Sequence, residues 1–418
     1  MIITELQQLY AAHPNVEGMY RLLQDNSVRH LYCSGLCASA ASLFSSVLIQ
    51  RVECPFVFIL GDLEEAGYFY HDLTQILGTE QVLFFPSSFR RAIKYGQKDA
   101  ANEILRTEVL SRLQKGEEGL CVVTYPDALA EKVVSRKELG DKTLKLHLGE
   151  KVDMDFVTEV LRSYSFEYVD YVYEPGQYAV RGSIIDVFSF SSEFPFRIDF
   201  FGDEVESIRT FEVESQLSKE KKENIVIVPD LSHSLEQRGN GGMVSFLDFL
   251  QPDTLLAMKD FLWLRERIQT VHDEALTAQA IAAREAEENG LISLDGKLID
   301  GGEFTLRALD FRRIEFGTKP TGTPDATAPF NTTAQPIFHK NFDLVAESFH
   351  DYLSRNYALY ICSDSLKQTE RIRAIFEDRG DNISFTSVER TLHEGFADDA
   401  LRLCIFTDHQ LFDRFHKY

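Results

Sequence analysis

Between residues 174 and 215 the chain reads EPGQYAVRGSIIDVFSFSSEFPFRIDFFGDEVESIRTFEVES, and its apolar positions fall into extended runs at 177–190, 194–201 and 205–213. The middle run alternates. Phe194, Phe196, Ile198 and Phe200 take one side of a strand, while Arg197, Asp199 and Phe201 take the other. Gly202 and Asp203, between the second and third runs, are residues that a tight hairpin turn favours. The expectation is a small, mostly antiparallel sheet with one aromatic face in a core. Its other face would carry Arg197 beside Phe201, a pair that no core requires and that suits an interface anchor.

The pattern on either side is different. Residues 1–29 read as helix, with Leu6, Leu9 and Tyr10 at helical spacing. Short continuous apolar runs at 30–34, 56–60, 82–85 and 120–124 alternate with helical stretches at 38–52, 63–77 and 99–114, which predicts a parallel sheet covered on both faces. Residues 125–143 read as a link. The inserted α+β domain then spans 144–218, opening with the strand-like LKLHLG and a helix over 153–164. After it come a strand at 225–228, a polar loop over 231–242 that ends in Gly239-Asn240-Gly241-Gly242, and apolar segments at 246–250 and 254–257. A long helix over 261–288 follows, with Leu262, Ile268, Leu276 and Ile281 as its packed face, and then a strand within 304–316. The expected first domain is therefore 1–125 joined to 219–316. Residues 317–336 hold four prolines and many Thr and Ala, a linker composition. Helices at 341–353 and 365–376 and strands at 358–362 and 401–406 make 337–418 a small α/β domain, with Asp408 capping its last strand.

Composition narrows the function. A formal net charge of -23 over 418 residues argues against a broad grip on nucleic acid, which needs clustered cations to replace counterions. No run of 18 apolar residues predicts a membrane span, and MIITELQQLY is neither a signal nor a transit peptide, so a cytoplasmic protein is expected. The six cysteines, at 33, 37, 54, 121, 362 and 404, lie in apolar settings without zinc-ligand spacing and read as buried free thiols. The 11 histidines are scattered, and no metal site is expected.

Two stretches carry candidate chemistry. The first strand–helix turn, Gly35-Leu36-Cys37-Ala38-Ser39-Ala40-Ala41-Ser42, can be set against the phosphate-binding loop G-x-x-x-x-G-K-[ST]. Gly35 and Ser42 keep the pattern. Ala40 replaces the second glycine, and Ala41 replaces the lysine that neutralises the β- and γ-phosphates. The turn should keep its shape and lose nucleotide binding. Between 86 and 99 a short connection carries Arg90, Arg91, Lys94 and Lys98 with Tyr95, which reads as a solvated loop or a residual DNA contact.

PGQYAVRGSIIDVF followed by FRIDFFGDEVESIRTF resembles domain 2 of the UvrB-homology module in the bacterial transcription-repair coupling factor (Mfd) family. The resemblance extends from about residue 30 to the end. It implies a degenerate RecA-like domain, the inserted domain, and a small α/β domain corresponding in order to domain 3. The short connection at 86–99 lacks the aromatic hairpin of UvrB. In the family, domain 2 docks the repair protein UvrA, and the matching contact residues here are Arg181, Arg197 and Phe201. The alternative for the arginines is surface salt bridging to acids such as Asp199 and Glu206. Also implied is a non-catalytic N-terminal fragment of a longer protein. Its motor domains would use ATP and Mg²⁺ and, with the rest of the protein, meet RNA polymerase and double-stranded DNA. The competing reading is a UvrB-like, ATP-dependent, damaged-DNA-binding helicase fragment.

Overall fold

The computed structural model of the chain describes residues 1–88, 99–231, 242–285 and 296–412. Its largest sheet has seven parallel strands, in the order Ala326–Pro329, His30–Ser34, Arg312–Phe316, Leu255–Lys259, Phe56–Ile59, Cys121–Thr124, Val82–Phe85. The central strands Phe56–Ile59 and Cys121–Thr124 are buried along their whole length, which is why they read as unbroken apolar runs. Helix boundaries follow local chemistry. Asp62 caps Leu63–Leu77 by accepting from the Glu65 N–H, and Asp99 caps Ala100–Lys115, which ends at left-handed Gly116. The first 29 residues hold two helices rather than one, Ile3–Ala11 and Pro14–Gln24. Pro14 lacks the N–H that would continue a helix but suits the first turn of a new one.

Several expected boundaries move. The 125–143 stretch is no mere link: Ala128, Leu129, Val133, Val134 and Leu139 are buried in the central core. In the helix Phe261–Glu285 the packed face is Phe261, Leu264, Ile268 and Val271, whereas Leu262 and Leu276 are exposed. Residues 304–316 divide into the end of the helix Gly301–Ala308 and the strand Arg312–Phe316. The proline-rich 317–336 segment contains two edge strands. Ala326–Pro329 closes one side of the parallel sheet, and Thr332–Ala334 starts the next sheet; proline is tolerated at such edges because no ladder N–H is needed there. The Arg90, Arg91, Lys94, Tyr95 and Lys98 connection, Gly239–Gly241 of the polar loop and the 413–418 tail lie outside the described residues.

The C-terminal sheet runs in the order Thr332–Ala334, Phe396–Asp398, Leu403–Thr407, Ala358–Ser363, Thr386–Glu389. Phe349, Ile361, Phe376 and Phe406 give it a core of its own, but Val388, Leu392, Phe396, Leu403 and Ile405 belong to the central core. A buried polar contact sits at this junction. The Tyr10 hydroxyl donates to the Asp398 carboxylate at 2.5 Å, with His13 Nε2 3.6 Å from the same oxygen. Burial, and then the Asp398 charge, push the Tyr10 phenol well above its ordinary range.

The inserted domain is a six-stranded sheet in the order Ser218–Lys221, Glu204–Phe211, Phe196–Phe201, Ile184–Val187, Gln177–Arg181, Glu167–Tyr168. The expected single run at 177–190 is two strands joined through Gly182-Ser183, with Gly182 at φ +62, where a two-residue hairpin turn takes glycine. Phe196, Ile198 and Phe200 pack with Val157 and Leu161 of the helix Met154–Ser163. Leu144–His147 pairs antiparallel with Asn224–Ile227, and Leu146, Ile225 and Ile227 enter the same core. The domain therefore runs past the expected boundary at 218, because the strand that closes it lies after a charged run that resembles a linker. Four of the six cysteines are buried as expected, while Cys37 and Cys54 are only half-buried.

Candidate interaction site

The alternation expected of 194–201 places Phe196, Ile198 and Phe200 in the core, leaves Arg197 and Asp199 half-buried, and turns Phe201 outward with 78% of its surface exposed. Gly202, at φ +66, forms the turn between the paired residues Phe201 and Glu204. Just before it the pairing slips by one residue, from Asp199↔Ser207 to Phe200↔Val205. The extra residue, Glu206, sits in the partner strand Glu204–Phe211, and such a bulge raises the local twist of the hairpin whose end carries Phe201.

On the face that carries Phe201, around Arg197 at the other end of the strand, lies an ion cluster that the pattern of residues did not foretell. Asp186 is the cross-strand partner of Arg197 and is fully buried. Arg197 Nε and Nη2 donate to its two carboxylate oxygens at 2.8 and 2.9 Å, a bidentate fork. Arg181 Nη2 donates to the same carboxylate. The remaining Arg197 nitrogen, Nη1, donates to the Gln216 carbonyl at 3.0 Å, and the guanidinium lies 4.4 Å from the centre of the Phe211 ring. The hydrogen bonds to Asp186 raise the Arg197 pKa further.

The three expected contact residues thus share one face but differ in role. Arg197, with 19% of its side chain exposed, has all three nitrogens engaged. Arg181, at 36%, donates to the Asp170 carbonyl and lies 5.1 Å from the centre of the Tyr171 ring. Phe201 stands clear. The acids weighed as salt-bridge partners are not the ones used: Asp199 accepts instead from the Ser183 hydroxyl at 2.8 Å. Asp186 was the missed residue. Its signal in the sequence was a lone carboxylate inside the apolar run IIDVF, which in a buried strand demands a cation. Tyr171, Tyr173 and Leu217 are also exposed on the loops that flank this sheet.

The second candidate stretch forms the expected turn. Gly35 follows the strand His30–Ser34 at φ +78, and Ser39 precedes the helix Ala40–Arg51. Ala40 and Ser42 are buried, and Ala41 stands half-buried at the position of the absent lysine. The Ser42 hydroxyl donates to Asp72 at 2.9 Å. Asp72 is buried too, and burial lifts its carboxyl pKa to about 6 in spite of the donors from Ser39, His393 and Ser42. No described helix is long and apolar enough to cross a membrane.

Residues 144–233 match the family model described as UvrB interaction domain. Over 196 residues the chain is 29% identical to the transcription-repair-coupling factor of Escherichia coli K12, a match covering 46% of this chain and 17% of that protein. Against the Bacillus subtilis 168 protein of the same name it is 30% identical over 197 residues, covering 47% and 17%. A longer match, 21% identical over 459 aligned positions, joins 91% of this chain to 38% of the transcription-repair-coupling factor of Staphylococcus aureus RF122. The chain spans well under half the length of these curated relatives. The domain that the family model matches begins where the inserted domain begins, at Leu144, and includes both arginines, Asp186 and Phe201.

Proposed function

We propose that this chain is a recruitment module of transcription-coupled DNA repair, and that its inserted domain docks UvrA. The observation that carries the reading is Phe201. A phenylalanine 78% exposed at the end of a well-packed strand, on the same face as two arginines that a buried carboxylate holds in place, is a pre-organised anchor. The match to a UvrB interaction domain and the names of the relatives support UvrA as the partner. In this reading Phe201 and Arg181 meet the partner, and Arg197 stands behind them. The chain works without nucleotide, since residue 41 offers a methyl group where phosphate needs a cation. ATP-driven movement on double-stranded DNA and contact with RNA polymerase belong to other parts of such proteins, and the setting is the cytoplasm. A UvrB-like helicase would need the lysine that Ala41 replaces.

Calorimetric titration of the chain with UvrA tests this reading. Binding is expected, weakened about tenfold or more by Phe201→Ala with an unchanged thermal melt. A folded wild-type chain that does not bind UvrA removes the proposal.

A further inference from the structure

The turn at Gly35–Ser42 is already occupied. In a phosphate-binding loop the backbone N–H groups of this turn point at the anion. Here the Cys37 N–H donates to the Thr332 hydroxyl at 3.0 Å, and that hydroxyl donates in turn to the Gly35 carbonyl at 2.5 Å. The Ser39 N–H donates to the Glu394 carbonyl at 3.3 Å. The Glu394 N–H returns a hydrogen bond to the Ser39 hydroxyl at 3.0 Å, so this pair of residues is bonded in both directions.

The segment 393–395 is recognised by its backbone throughout. The His393 N–H donates to Asp72 at 2.7 Å, beside the Ser42 hydroxyl bound to the other oxygen of that carboxylate. On the far side the Gly395 N–H donates to Gln410 at 2.7 Å. The His393 ring stacks on Tyr68 with centroids 3.5 Å apart. Phe330, whose N–H donates to the Ser34 carbonyl at 2.8 Å, closes the other side and packs edge-on against Phe44. A Cβ on residue 35 would lie 2.0 Å from the Phe330 carbonyl oxygen, so glycine is required here for the close approach of the chain's own backbone.

We infer that this turn is a peptide-binding site, its occupant being the chain's own segments 330–332 and 392–395. Asp72, held by the Ser42 hydroxyl, accepts from the His393 amide, the Ser39 hydroxyl accepts from the Glu394 amide, and the N–H groups of Cys37 and Ser39 read Thr332 and the Glu394 carbonyl. The site locks the C-terminal sheet to the parallel sheet, and it leaves no donor at Cys37 or Ser39 for an anion. A lysine restored at position 41 would meet a filled cradle.

Amide hydrogen exchange of the full chain tests this inference. In the wild type the amides of His393, Glu394 and Gly395 should be protected to the level of the neighbouring strand Phe396–Asp398. Ser39→Ala combined with Thr332→Val should speed exchange at 36–40 and 392–395 together, roughly tenfold or more, and leave the inserted domain unchanged. Ala40→Gly with Ala41→Lys should bind no ADP or inorganic phosphate, by calorimetry, while the segment stays docked. Free-peptide exchange rates at 393–395 in the wild type overturn the inference whether or not any variant folds. So does faster exchange confined to one side of the contact, or phosphate binding by the lysine variant with the 392–395 amides still protected.

Discussion

Two of the turns at positive-φ glycines, Gly35–Ser42 and the one at Gly202, differ in what faces them. At Gly35–Ser42 the N–H groups of Cys37 and Ser39 and the hydroxyls of Ser39 and Ser42 have found partners within the chain. At Gly202 the opposite holds. The arginines on the same face are satisfied by Asp186, yet Phe201 beside the turn is left uncovered. A polar cradle filled by the chain itself adds cohesion, and its Cys37 and Ser39 amides are already engaged. A face whose charges are satisfied and whose aromatic is bare still has surface to bury. Motif resemblance points to the first turn as a site, and the geometry favours the second.

The strongest way to break this comparison is to attack the ion cluster on the face that carries Phe201. Arg197→Glu should remove the fork on Asp186 and bring a second carboxylate towards it, lowering stability by on the order of 3–5 kcal/mol. The urea midpoint of the inserted domain reports it. A variant as stable as wild type would mean that the arginines are not a scaffold. Loss of UvrA binding in this variant would therefore say little about contact, which is why Phe201 is the better probe.

Phe201→Ala sharpens the comparison. It should cost binding about 2 kcal/mol, more than tenfold in affinity. The fold should move by no more than about 0.5 kcal/mol, as befits an exposed side chain. Calorimetry and a thermal melt on the same sample separate the two effects. A large loss of stability would make Phe201 part of the packing rather than of the docking face.

A smaller effect is expected from pH at the filled cradle. Burial lifts Asp72 to about 6, while burial and then the nearby His409 and His71 lower His393 to about 4. As pH falls from 7 to 5, the unfolded chain takes up a proton at His393 that the folded chain refuses, which destabilises the fold. Over the same range the folded chain takes up a proton at Asp72 that the unfolded chain refuses, which stabilises it. The two oppose each other. His393→Gln should therefore lose less Tm than wild type on going from pH 7 to 5, and Asp72→Asn should lose more. Identical pH trends in all three proteins would show that neither group binds protons differently in the folded and unfolded chain over this window. The smallest expected effect is none: Mg²⁺ and ATP at millimolar concentration should leave the Tm unchanged, and a saturable rise would place a working nucleotide site in the turn.

Much of this was legible in the residues because it depends on near neighbours. Alternation gave the inward and outward sides of Phe196–Phe201, Gly202-Asp203 gave its turn, and the helix Leu63–Leu77 is where its apolar spacing put it. What escaped depends on partners far along the chain. The Asp186–Arg197 fork needs the register between two strands, which no single strand's pattern contains. Thr386–Glu389 is short and polar and becomes a strand only because Ala358–Ser363 offers it an edge. The docking of 393–395 on the first turn runs through N–H and carbonyl groups that every residue possesses, so it leaves almost no mark in the sequence.

One feature of the inserted domain reaches beyond its own stability. Leu144, where it begins, and Ile227, where it ends, are directly opposed in an antiparallel pair, about 5 Å apart. A unit whose two ends meet adds only a closed excursion to its host, so the host's own strands need not shift to accommodate it. The domain is thus a cassette. Cut at that pair and joined to any hairpin of matching width, it should carry Phe201, Arg181 and the buried Asp186 with it, and a docking surface assembled in this way can pass from one protein to another without redesign of either.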